Sequence, residues 1–514
     1  MRRYPVGIQD FSEVRVGDYL YVDKTPFIEK LFMHGKYYFL SRPRRFGKSL
    51  FLSTLDYLFQ AKKEIFEGLY IYDKWDWTKT NPVIKISFSN IGHKDLGLGK
   101  AINICLDNIA NKYGIELKAT FNSGKFKELI EILSARHGQV VVLIDEYDKP
   151  IIDYLGTNTP MGGVPQAIEN RETLKAFYSI LKDADPYLKL VFITGVSKFS
   201  RVSIFSDLNN LNDLSVDNTF ESVCGISQEE LELNFAEELN RHDSQQIKKW
   251  YNGYSWGGSI SVYNPFSLLN FFAGDGRFKN YWFETGTPTF LINIAKNQQL
   301  YDFENVMVEA SGLSAYEIDN LRLIPLMFQT GYLTIKDEEM GIYTLGYPNE
   351  EVRQSYLNML ANNYIQDPIL SGRVWANSLY KCLEKGEVDK LQSLLNSLFK
   401  SIPYEIWQKE NEHFYHAIIH LTFRLLGIYV ESQVQTSDGR MDALVQTKNY
   451  VYAFEFKLDG SASEALQQIK DKGYLQPYFH QDKRNAARTC IGIGLNFSTE
   501  TKKVQEILWE EIKN

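Results

Sequence analysis

Short apolar runs alternate with amphipathic stretches along the first part of the chain. The apolar runs cover residues 37–41, 82–90, 138–150 and 188–200. The third run is apolar at nearly every position before its end, which is typical of a parallel strand buried on both faces. Between the runs, apolar residues recur at helical spacing, at roughly 95–113, 124–136 and 168–183. This alternation predicts a doubly wound α/β domain.

The first run leads into a basic loop that reads SRPRRFGKSLFLS. Its GKS triplet lies between a predicted strand and a predicted helix, where a phosphate-binding loop belongs because helix-terminal amides point at the anion. The usual pattern has glycine at the position of Arg42, and Pro43 can set the turn instead. A basic loop that merely caps a helix is the alternative. The residues predicted to bind the nucleotide are Arg44, Arg45, Phe46, Gly47, Lys48 and Ser49.

Two positions of this loop and two later acidic residues form a predicted nucleotide site. Lys48 would pair with the β- and γ-phosphates, and Ser49 would hold Mg²⁺. The third run ends in Asp145-Glu146, at the strand edge where open α/β sheets bind ligands. Asp145 would contact Mg²⁺ through Ser49 or water, and Glu146 would polarise the attacking water. Acidic residues often end strands, but that does not explain their pairing with a separate GKS loop.

The fourth apolar run offers further polar residues at its end. Thr194 closes the predicted strand and could sense the γ-phosphate. Lys198 and Arg201 follow in the next loop, where they fit either a contact with phosphate oxygens or ordinary surface charge. The sequence leaves that choice open.

Residues 221–375 reveal no catalytic group of residues. The segment WYNGYSWGGSISVYNPFSLLNFF is rich in aromatic residues and glycine. Aromatic side chains can stack on nucleobases, but core packing is the simpler interpretation. The later stretch LIPLMFQTGYLTIKDEEMGIYTLGYPN predicts a helix followed by a pair of strands. We predict a mainly helical or winged-helix-like middle region that could relay the nucleotide state to the C-terminal region.

Near the C-terminus, the sequence GRMDALVQTKNYVYAFEFKLDG contains a second group of candidate residues. A two-residue turn at Lys448-Asn449 would pair Asp442 with Glu455, with Cβ atoms roughly 5 Å apart. Lys457 would share their face because side chains alternate along a strand. Two facing carboxylates repel, which favours a divalent cation such as Mg²⁺ between them. The pattern predicts a metal-dependent phosphodiesterase site with Asp442 and Glu455 as ligands, against the alternative of an exposed face of mixed charge.

Amphipathic helical stretches flank this hairpin. Glu412 lies in the preceding stretch and Gln468 in the following one. His413, His416 and His420 also recur at helical spacing and could bind zinc. The chain has no HExxH motif, so a packing or DNA-facing role for these histidines is the interpretation that we favour.

Composition restricts the class of protein. The formal net charge of −8 over 514 residues gives no global attraction to nucleic acid, so contact with DNA needs a local basic surface. The four cysteines form no CxxC pair, which favours reduced thiols in a cytoplasm over a disulfide scaffold. The basic N-terminus lacks the apolar core of a signal peptide, and no apolar run is long enough to span a membrane. We therefore expect a cytoplasmic protein.

At the level of these motifs, the chain resembles the bacterial AAA-ATPase-like family of P-loop proteins, whose members often carry a C-terminal PD-(D/E)XK nuclease-like domain. The resemblance covers most of residues 1–220 and rests on YPVGIQDFSEVR, YVDKTPFIEKL, RPRRFGKSLFLS, LIDEYDKPI and FITGVSKFSRVSIFSDLNNLNDLS. It implies that arginine in place of the first loop glycine is a family trait. It also implies that Tyr4–Arg15 and Asp23–Thr25 lie near the nucleotide.

Residues 405–500 resemble the PD-(D/E)XK nucleases through GRMD, EFK and ALQQI, and through the order helix, hairpin, helix, strand. This resemblance implies an active site of Asp442, Glu455 and Lys457, supported by Glu412 and Gln468. Together the motifs predict an ATPase domain, a middle region and an α/β nuclease-like domain. These are expected to cover residues 1–220, 221–375 and 376–514.

The sequence thus predicts a protein that binds and hydrolyses ATP with Mg²⁺ and is fused to a Mg²⁺-dependent nuclease acting on DNA. Turnover of ATP would gate or position the nuclease. One alternative is a signalling ATPase whose C-terminal domain binds nucleic acid or a partner without cleavage. Another is an interaction protein that uses ATP only to fix its shape. The sequence is also compatible with a homo-oligomer and does not define the oligomeric state.

Overall fold

A five-stranded sheet organises the first part of the chain. Four of its strands lie within the predicted apolar runs, whereas the short fifth strand was not predicted. The strands are β1 (Tyr37–Ser41), β2 (Val83–Ser87), β3 (Val140–Asp145), β4 (Leu188–Gly195) and β5 (Asn212–Asp213). They lie in the order β2, β3, β4, β1, β5, and each neighbouring pair is parallel. Strand β3 is buried along its whole length, which explains its continuous apolar sequence.

Two short helices precede β1, and further helices lie between the parallel strands along the chain, as predicted for the helix after the GKS loop and for three others. They are α1 (Phe11–Val16), α2 (Pro26–Leu31), α3 (Lys48–Phe59), α4 (His93–Leu96), α5 (Leu98–Lys112), α6 (Asn122–His137), α7 (Lys149–Ile152) and α8 (Gly163–Asp183). Helix α6 buries Phe126, Leu129, Ile130 and Leu133, which share one face at helical spacing. The predicted α/β fold class of this region is confirmed.

The middle of the chain is mainly helical and carries a small antiparallel sheet. Its strands β6 (Val306–Glu309), β7 (Thr334–Glu339) and β8 (Ile342–Gly346) lie in the order β6, β8, β7. Its helices are α9 (Gln228–Asn234), α10 (Ala236–Leu239), α11 (Ser244–Tyr251), α12 (Pro265–Ala273), α13 (Ala310–Leu313), α14 (Leu323–Thr330) and α15 (Glu350–Tyr364). Tyr251, Tyr254 and Trp256 of the aromatic segment are buried, which confirms core packing for these three residues.

The C-terminal part contains a mixed five-stranded sheet. Its strands are β9 (Glu431–Val434), β10 (Ala443–Gln446), β11 (Tyr450–Leu458), β12 (Thr489–Ser498) and β13 (Lys503–Glu511). They lie in the order β13, β12, β11, β10, β9, and only the β11–β12 pair among them is parallel. The helices of this part are α16 (Gly372–Glu384), α17 (Leu391–Lys400) and α18 (Ala462–Asp471). Helix α18 packs its apolar face on the sheet through Leu466 and Ile469.

This computed structural model describes residues 3–33, 35–155, 163–197, 204–205, 208, 210–282, 291, 295, 303–313, 322–364, 372–400, 421–424, 426, 431–434, 442–479 and 488–513. The chain divides into two compact units, Met1–Asn293 with Phe303–Arg353 and Ile294–Asp302 with Gln354–Asn514. The three-domain division at residues 220 and 375 stays a prediction. Within the described residues, no helix combines the length and apolarity that crossing a membrane requires.

Candidate functional sites

The basic loop between β1 and α3 forms a tight turn at the carboxyl edge of the first sheet. Gly47 immediately precedes α3 and has a φ of 95°, and Arg45 has a φ of 68°. Glycine adopts such left-handed conformations freely, whereas a residue with a Cβ, such as Arg45, adopts them at a cost of about 1–2 kcal/mol. The loop therefore holds a strained arginine directly beside the start of the helix.

Arg42, which replaces the expected glycine, has a structural role: its side chain hydrogen-bonds to main-chain carbonyls inside the protein. Its side chain is fully buried, and its guanidinium donates to the carbonyls of Ser41 (2.9 Å), Ser215 (2.8 Å) and Phe220 (3.2 Å). The guanidinium also lies 4.1 Å from the ring centroid of Trp256. Burial lowers the pKa of Arg42 to about 10. Arg42 thus ties the entrance of the loop to residues 215–220 and does not line the cleft described below.

Lys48 points into the loop that precedes it. Its Nζ donates to the carbonyls of Arg42 and Pro43, each at 2.9 Å, and the side chain is buried. Burial lowers the pKa of Lys48, and the nearby Asp145 carboxylate opposes that shift. An ammonium held by two neutral carbonyls is able to exchange them for anionic oxygen atoms.

The predicted residues at the strand ends meet at Asp145. Its Oδ2 accepts a hydrogen bond from Ser49 Oγ at 2.6 Å, and its Oδ1 accepts one from Thr194 Oγ1 at 2.6 Å. Three adjacent elements, α3, β3 and β4, thereby place Ser49, Asp145 and Thr194 together. Thr194 is fully buried and bonded to Asp145, so a role in sensing the γ-phosphate stays a prediction.

Glu146 adopts a left-handed conformation with a φ of 51° directly after β3. Its Oε2 accepts a hydrogen bond of 2.6 Å from Ser89 Oγ, in the loop after β2. Sequence reasoning missed Ser89, although it lies just beyond a neighbouring parallel strand, at the same sheet edge. The carboxylate is thus held by a side chain of an adjacent loop.

These side chains open into a cleft of about 440 Å³, which is within the range of small-molecule sites. The cleft is lined by Arg44, Arg45, Gly47, Lys48, Ser49, Asp145 and Glu146 among others. The Phe46 ring is buried against Tyr254 and Trp256, with ring centroids 4.7 and 5.4 Å away. Phe46 therefore does not line this cleft; it lines a smaller apolar pocket beside it.

The N-terminal segment and helix α12 supply the remaining walls. Residues 5–9 line the cleft. That the whole segment Tyr4–Arg15 lies near a nucleotide stays a prediction. Lys24 lines a smaller apolar pocket of about 80 Å³ next to the loop, and it forms an ion pair with Glu230 at 2.7 Å. Pro265, Phe266 and Leu269 also line the cleft and were missed, because no motif marks them.

The second predicted site lies on the β10–β11 hairpin. Ala443 pairs with Phe454 and Gln446 with Val451, which is the register that a Lys448-Asn449 turn predicts. Extending this register by one position places Asp442 opposite Glu455. The Asp442 Oδ2 atom accepts a hydrogen bond of 2.8 Å from the amide of Phe456, which holds its carboxylate at this end of the hairpin.

Gln468 connects the two other predicted residues of this hairpin. Its Nε2 donates to Glu455 Oε1, while its Oε1 accepts from Lys457 Nζ at 2.6 Å. Lys457 Nζ also lies 3.9 Å from Glu455 Oε1. The structure thus brings Asp442, Glu455, Lys457 and Gln468 together at the meeting of β11 and α18.

The Glu455 carboxylate is buried, and its Oε2 has no hydrogen-bond partner among the described residues. Burial, together with the Asp442 charge, raises the pKa of Glu455 to about 7. The Lys457 ammonium and the Asp442 amide oppose this shift only in part. An anionic Glu455 is therefore costly in the metal-free protein, and a divalent cation would remove that cost.

Several predicted residues lie outside the described part of the chain. These are Lys198, Arg201, Glu412, His413, His416 and His420. Among the described residues, no group of three His, Cys, Asp or Glu side chains is arranged to hold a metal ion. The fit of Mg²⁺ at the hairpin therefore rests on a pair of carboxylates, of which Glu455 has an unsatisfied buried oxygen.

Comparison with known proteins covers both sites. A family model described as "Predicted AAA-ATPase" matches residues 5–205, and a model described as "PD-(D/E)XK nuclease superfamily" matches residues 410–507. A protein of Azotobacter chroococcum mcd 1, described as "Uncharacterized protein in vnfD 5'region", is 40% identical over 528 residues. The match covers 99% of this chain and 99% of that protein. No solved structure matches.

The matched regions contain the two groups of side chains. Lys48, Ser49, Asp145 and Glu146 fall within the first match, and the hairpin carboxylates fall within the second. The relative is similar over its full length, so it shares both regions. The chain therefore belongs to the AAA-ATPase-like family and carries a C-terminal domain of the PD-(D/E)XK nuclease superfamily.

Proposed function

We propose that the N-terminal cleft binds and hydrolyses ATP. The observation that carries this proposal is the convergence of Lys48, Ser49, Asp145 and Glu146 on one cleft at the carboxyl edge of a parallel sheet. Ser49 and Asp145 would hold Mg²⁺, which neutralises phosphate charge when bound. The hydroxyl–carboxylate contact between them fits this group, because both oxygens are ligands that Mg²⁺ accepts.

The chain's own residues would then act on the triphosphate. Lys48 exchanges its two carbonyl partners for phosphate oxygens. The hydrogen bond from Ser89 to Glu146 breaks, and the Glu146 carboxylate then orients a water molecule. The water oxygen bonds to the γ-phosphorus while the bond from that phosphorus to the β–γ bridging oxygen breaks. ADP leaves with the electron pair, and the proton of the water passes to the Glu146 carboxylate and then to solvent.

We further propose that the hairpin is a Mg²⁺-dependent phosphodiesterase site that acts on DNA. Asp442 and Glu455 would hold the cation, whose charge stabilises the phosphate under attack. Lys457 would orient the attacking water and balance the charge at the scissile phosphate, while Gln468 holds both Glu455 and Lys457. The attacking water oxygen bonds to the phosphorus while the bond from the phosphorus to one ester oxygen breaks. That ester oxygen leaves with the electron pair and takes up a proton from solvent, and the proton of the attacking water passes to solvent.

Because one chain carries both sites, we propose that ATP turnover gates the nuclease. The test is incubation with Mg²⁺ and plasmid, linear or single-stranded DNA, with and without ATP, for the parent and Glu146→Gln. The variant should bind ATP but hydrolyse it about 10²- to 10⁴-fold more slowly, and its DNA cleavage should differ from that of the parent. Identical cleavage by both proteins would remove the gating proposal. ATP turnover without cleavage of any DNA would favour a signalling ATPase with a non-cutting C-terminal domain.

A further inference from the structure

Among the described residues that line the ATP cleft, four are cationic. Three of them, Arg44, Arg45 and Lys48, belong to the phosphate loop. The Arg44 carbonyl accepts from the Trp282 indole at 3.0 Å, and the Arg45 guanidinium lies 5.1 Å from the Phe266 ring centroid. The fourth cation, Lys149, lies in a different segment of the chain, three residues after Glu146. The proposed hydrolysis does not use Lys149.

Lys149 belongs to the same turn of chain as Glu146. Its amide donates to the Glu146 carbonyl at 3.0 Å, and it is the first residue of α7. Both side chains line the cleft. A backbone hydrogen bond therefore connects Lys149 to Glu146, the carboxylate proposed to activate water. Lys48, by contrast, belongs to the loop proposed to hold the nucleotide.

A carboxylate outside the cleft lining holds Lys149. Its Nζ lies 3.2 Å from Asp153 Oδ1, one helical turn further along the chain. The other oxygen, Asp153 Oδ2, lies 3.1 Å from Lys94 Nζ and 3.4 Å from His93 Nε2. Burial alone would raise the pKa of Asp153, but the His93, Lys149 and Lys94 side chains hold it below its usual range. Asp153 thus stays anionic, and its charge is shared by several cationic or polar groups.

The Lys149 side chain retains donors for a ligand. It is 27% exposed, and an ammonium has three N–H donors. The Asp153 Oδ1 contact uses one of these donors, while Lys94 and His93 contact the other carboxylate oxygen. A cation in this position can face the oxygens of a γ-phosphate while Glu146 faces the attacking water.

We propose that Lys149 is a catalytic cation for the transfer of the γ-phosphoryl group to water, and that Asp153 is its positioning residue. The proposal rests on the proposed ATPase function. As the bond to the γ-phosphorus forms from water and the bond to the β–γ bridging oxygen breaks, Lys149 stabilises the negative charge on the phosphoryl oxygens. It exchanges no proton or electron pair, so the products remain ADP, phosphate and a proton.

The central test is Lys149→Gln, which removes the charge but keeps much of the side-chain length. ATP hydrolysis should fall about 100-fold or more, as expected when a cation that acts in the transition state is lost. ADP affinity, measured with a fluorescent ADP, should stay within about twofold because Lys48 and the loop are intact. A readout independent of turnover is the retention of ADP with aluminium fluoride and Mg²⁺, which the parent should show and the variant should lose.

Lys94→Gln is the matched control. Lys94 contacts the same carboxylate as Lys149 but is 55% exposed and does not line the cleft. Its loss should leave hydrolysis and retention of ADP with aluminium fluoride unchanged within about twofold. Lys149→Arg should recover part of the lost rate, because it restores the positive charge.

The role of Asp153 is tested in combination with Lys149→Gln. Asp153→Asn alone should lower hydrolysis, but it should add no further loss in the Lys149→Gln background, since a positioning residue acts through its partner. Additive losses would assign Asp153 a structural role instead. If the parent hydrolyses ATP and Lys149→Gln does so equally well, the inference is overturned while the ATPase proposal stands. If the parent neither hydrolyses ATP nor retains ADP with aluminium fluoride, both fail.

Discussion

The two sites of this protein handle charge in opposite ways. In the ATP cleft, Lys48 is held by two carbonyls, Ser49 and Thr194 share Asp145, and Ser89 holds Glu146. In the hairpin, a buried oxygen of Glu455 lacks a hydrogen-bond partner among the described residues, and its pKa is raised to about 7.

Ligand binding therefore requires different changes at the two sites: contacts within the protein must break in the cleft, whereas the hairpin only has to take up a cation. A nucleotide has to displace contacts that the cleft already makes, so part of its binding energy is spent on rearrangement. Among the described residues, the Glu455 Oε2 atom has no hydrogen-bond partner that a cation at the hairpin would displace, and the cation would relieve the repulsion between Glu455 and Asp442. We therefore expect metal to stabilise the C-terminal unit more than ATP stabilises the N-terminal one.

Asp442→Asn should produce the largest change. Loss of one of two carboxylate ligands should lower DNA cleavage by about 10³-fold or more, because a bound cation contributes several kcal/mol to the stabilisation of the transition state. The fold should persist, since an amide oxygen can still accept the Phe456 N–H that Asp442 accepts now. In EDTA the variant should melt no lower than the parent, because the repulsion with Glu455 is gone. Unchanged cleavage would contradict the site assignment.

The pH dependence of the free energy of unfolding tests whether the pKa of Glu455 is raised in the folded protein. Folding raises the pKa of Glu455 from 4.5 to about 7, so the folded state binds this proton more tightly than the unfolded chain does. In EDTA, this contribution should be fully present below pH 4.5, and about 3 kcal/mol should be lost as the pH rises through about 7.

Glu455→Gln serves as the control for that measurement. Urea unfolding of parent and variant should give curves of stability against pH whose difference is this loss. Mg²⁺ should restore stability to the parent alone. Curves of the same shape for both proteins in EDTA would show that Glu455 titrates normally.

Lys48→Ala tests the contribution of the Lys48 ammonium to ATP binding in the cleft. ATP affinity should fall by about 100-fold or more, because a charge-assisted contact with phosphate contributes about 2–3 kcal/mol. Calorimetric titration with ATP measures the change. The hairpin variant Asp442→Asn should bind ATP like the parent, which separates the two sites. Parent-like affinity in Lys48→Ala would remove the phosphate-loop assignment.

Ser89→Ala should have the smallest effect. It removes the hydroxyl that holds Glu146, whose release is part of the proposed hydrolysis. Because one such hydrogen bond contributes about 1 kcal/mol, the steady-state rate of ATP hydrolysis should rise by at most about fivefold. A fall of more than tenfold would mean that Ser89 orients Glu146 for catalysis and does not restrain it.

Local patterns allowed most of the strands of the first sheet and the hairpin register to be predicted, and they placed the GKS loop between a strand and a helix. Pairing across a two-residue turn fixes every later pair, so the position of Asp442 relative to Glu455 followed from Lys448-Asn449 alone. The α/β fold class followed in the same way from alternating periodicities.

The contacts that sequence reasoning missed join segments that are distant along the chain. Arg42 bonds to Ser215 and Phe220, Ser89 to Glu146, and Phe266 lies under Arg45. Their geometry depends on how loops from separate strands meet at one sheet edge, which no local spacing encodes. Polar residues just beyond neighbouring parallel strands were the available signal for Ser89.

The short β10–β11 turn has a consequence for the order in which the second site assembles. Closing a two-residue hairpin needs little loss of chain entropy and takes microseconds, so Asp442 and Glu455 meet early. Gln468 arrives only when α18 docks, and β12 adds its parallel pairing after that helix in the chain. Non-local pairing of this kind is slower than hairpin closure. We therefore expect that, during synthesis of the chain, the repelling carboxylates come together before the groups that hold them in place are available.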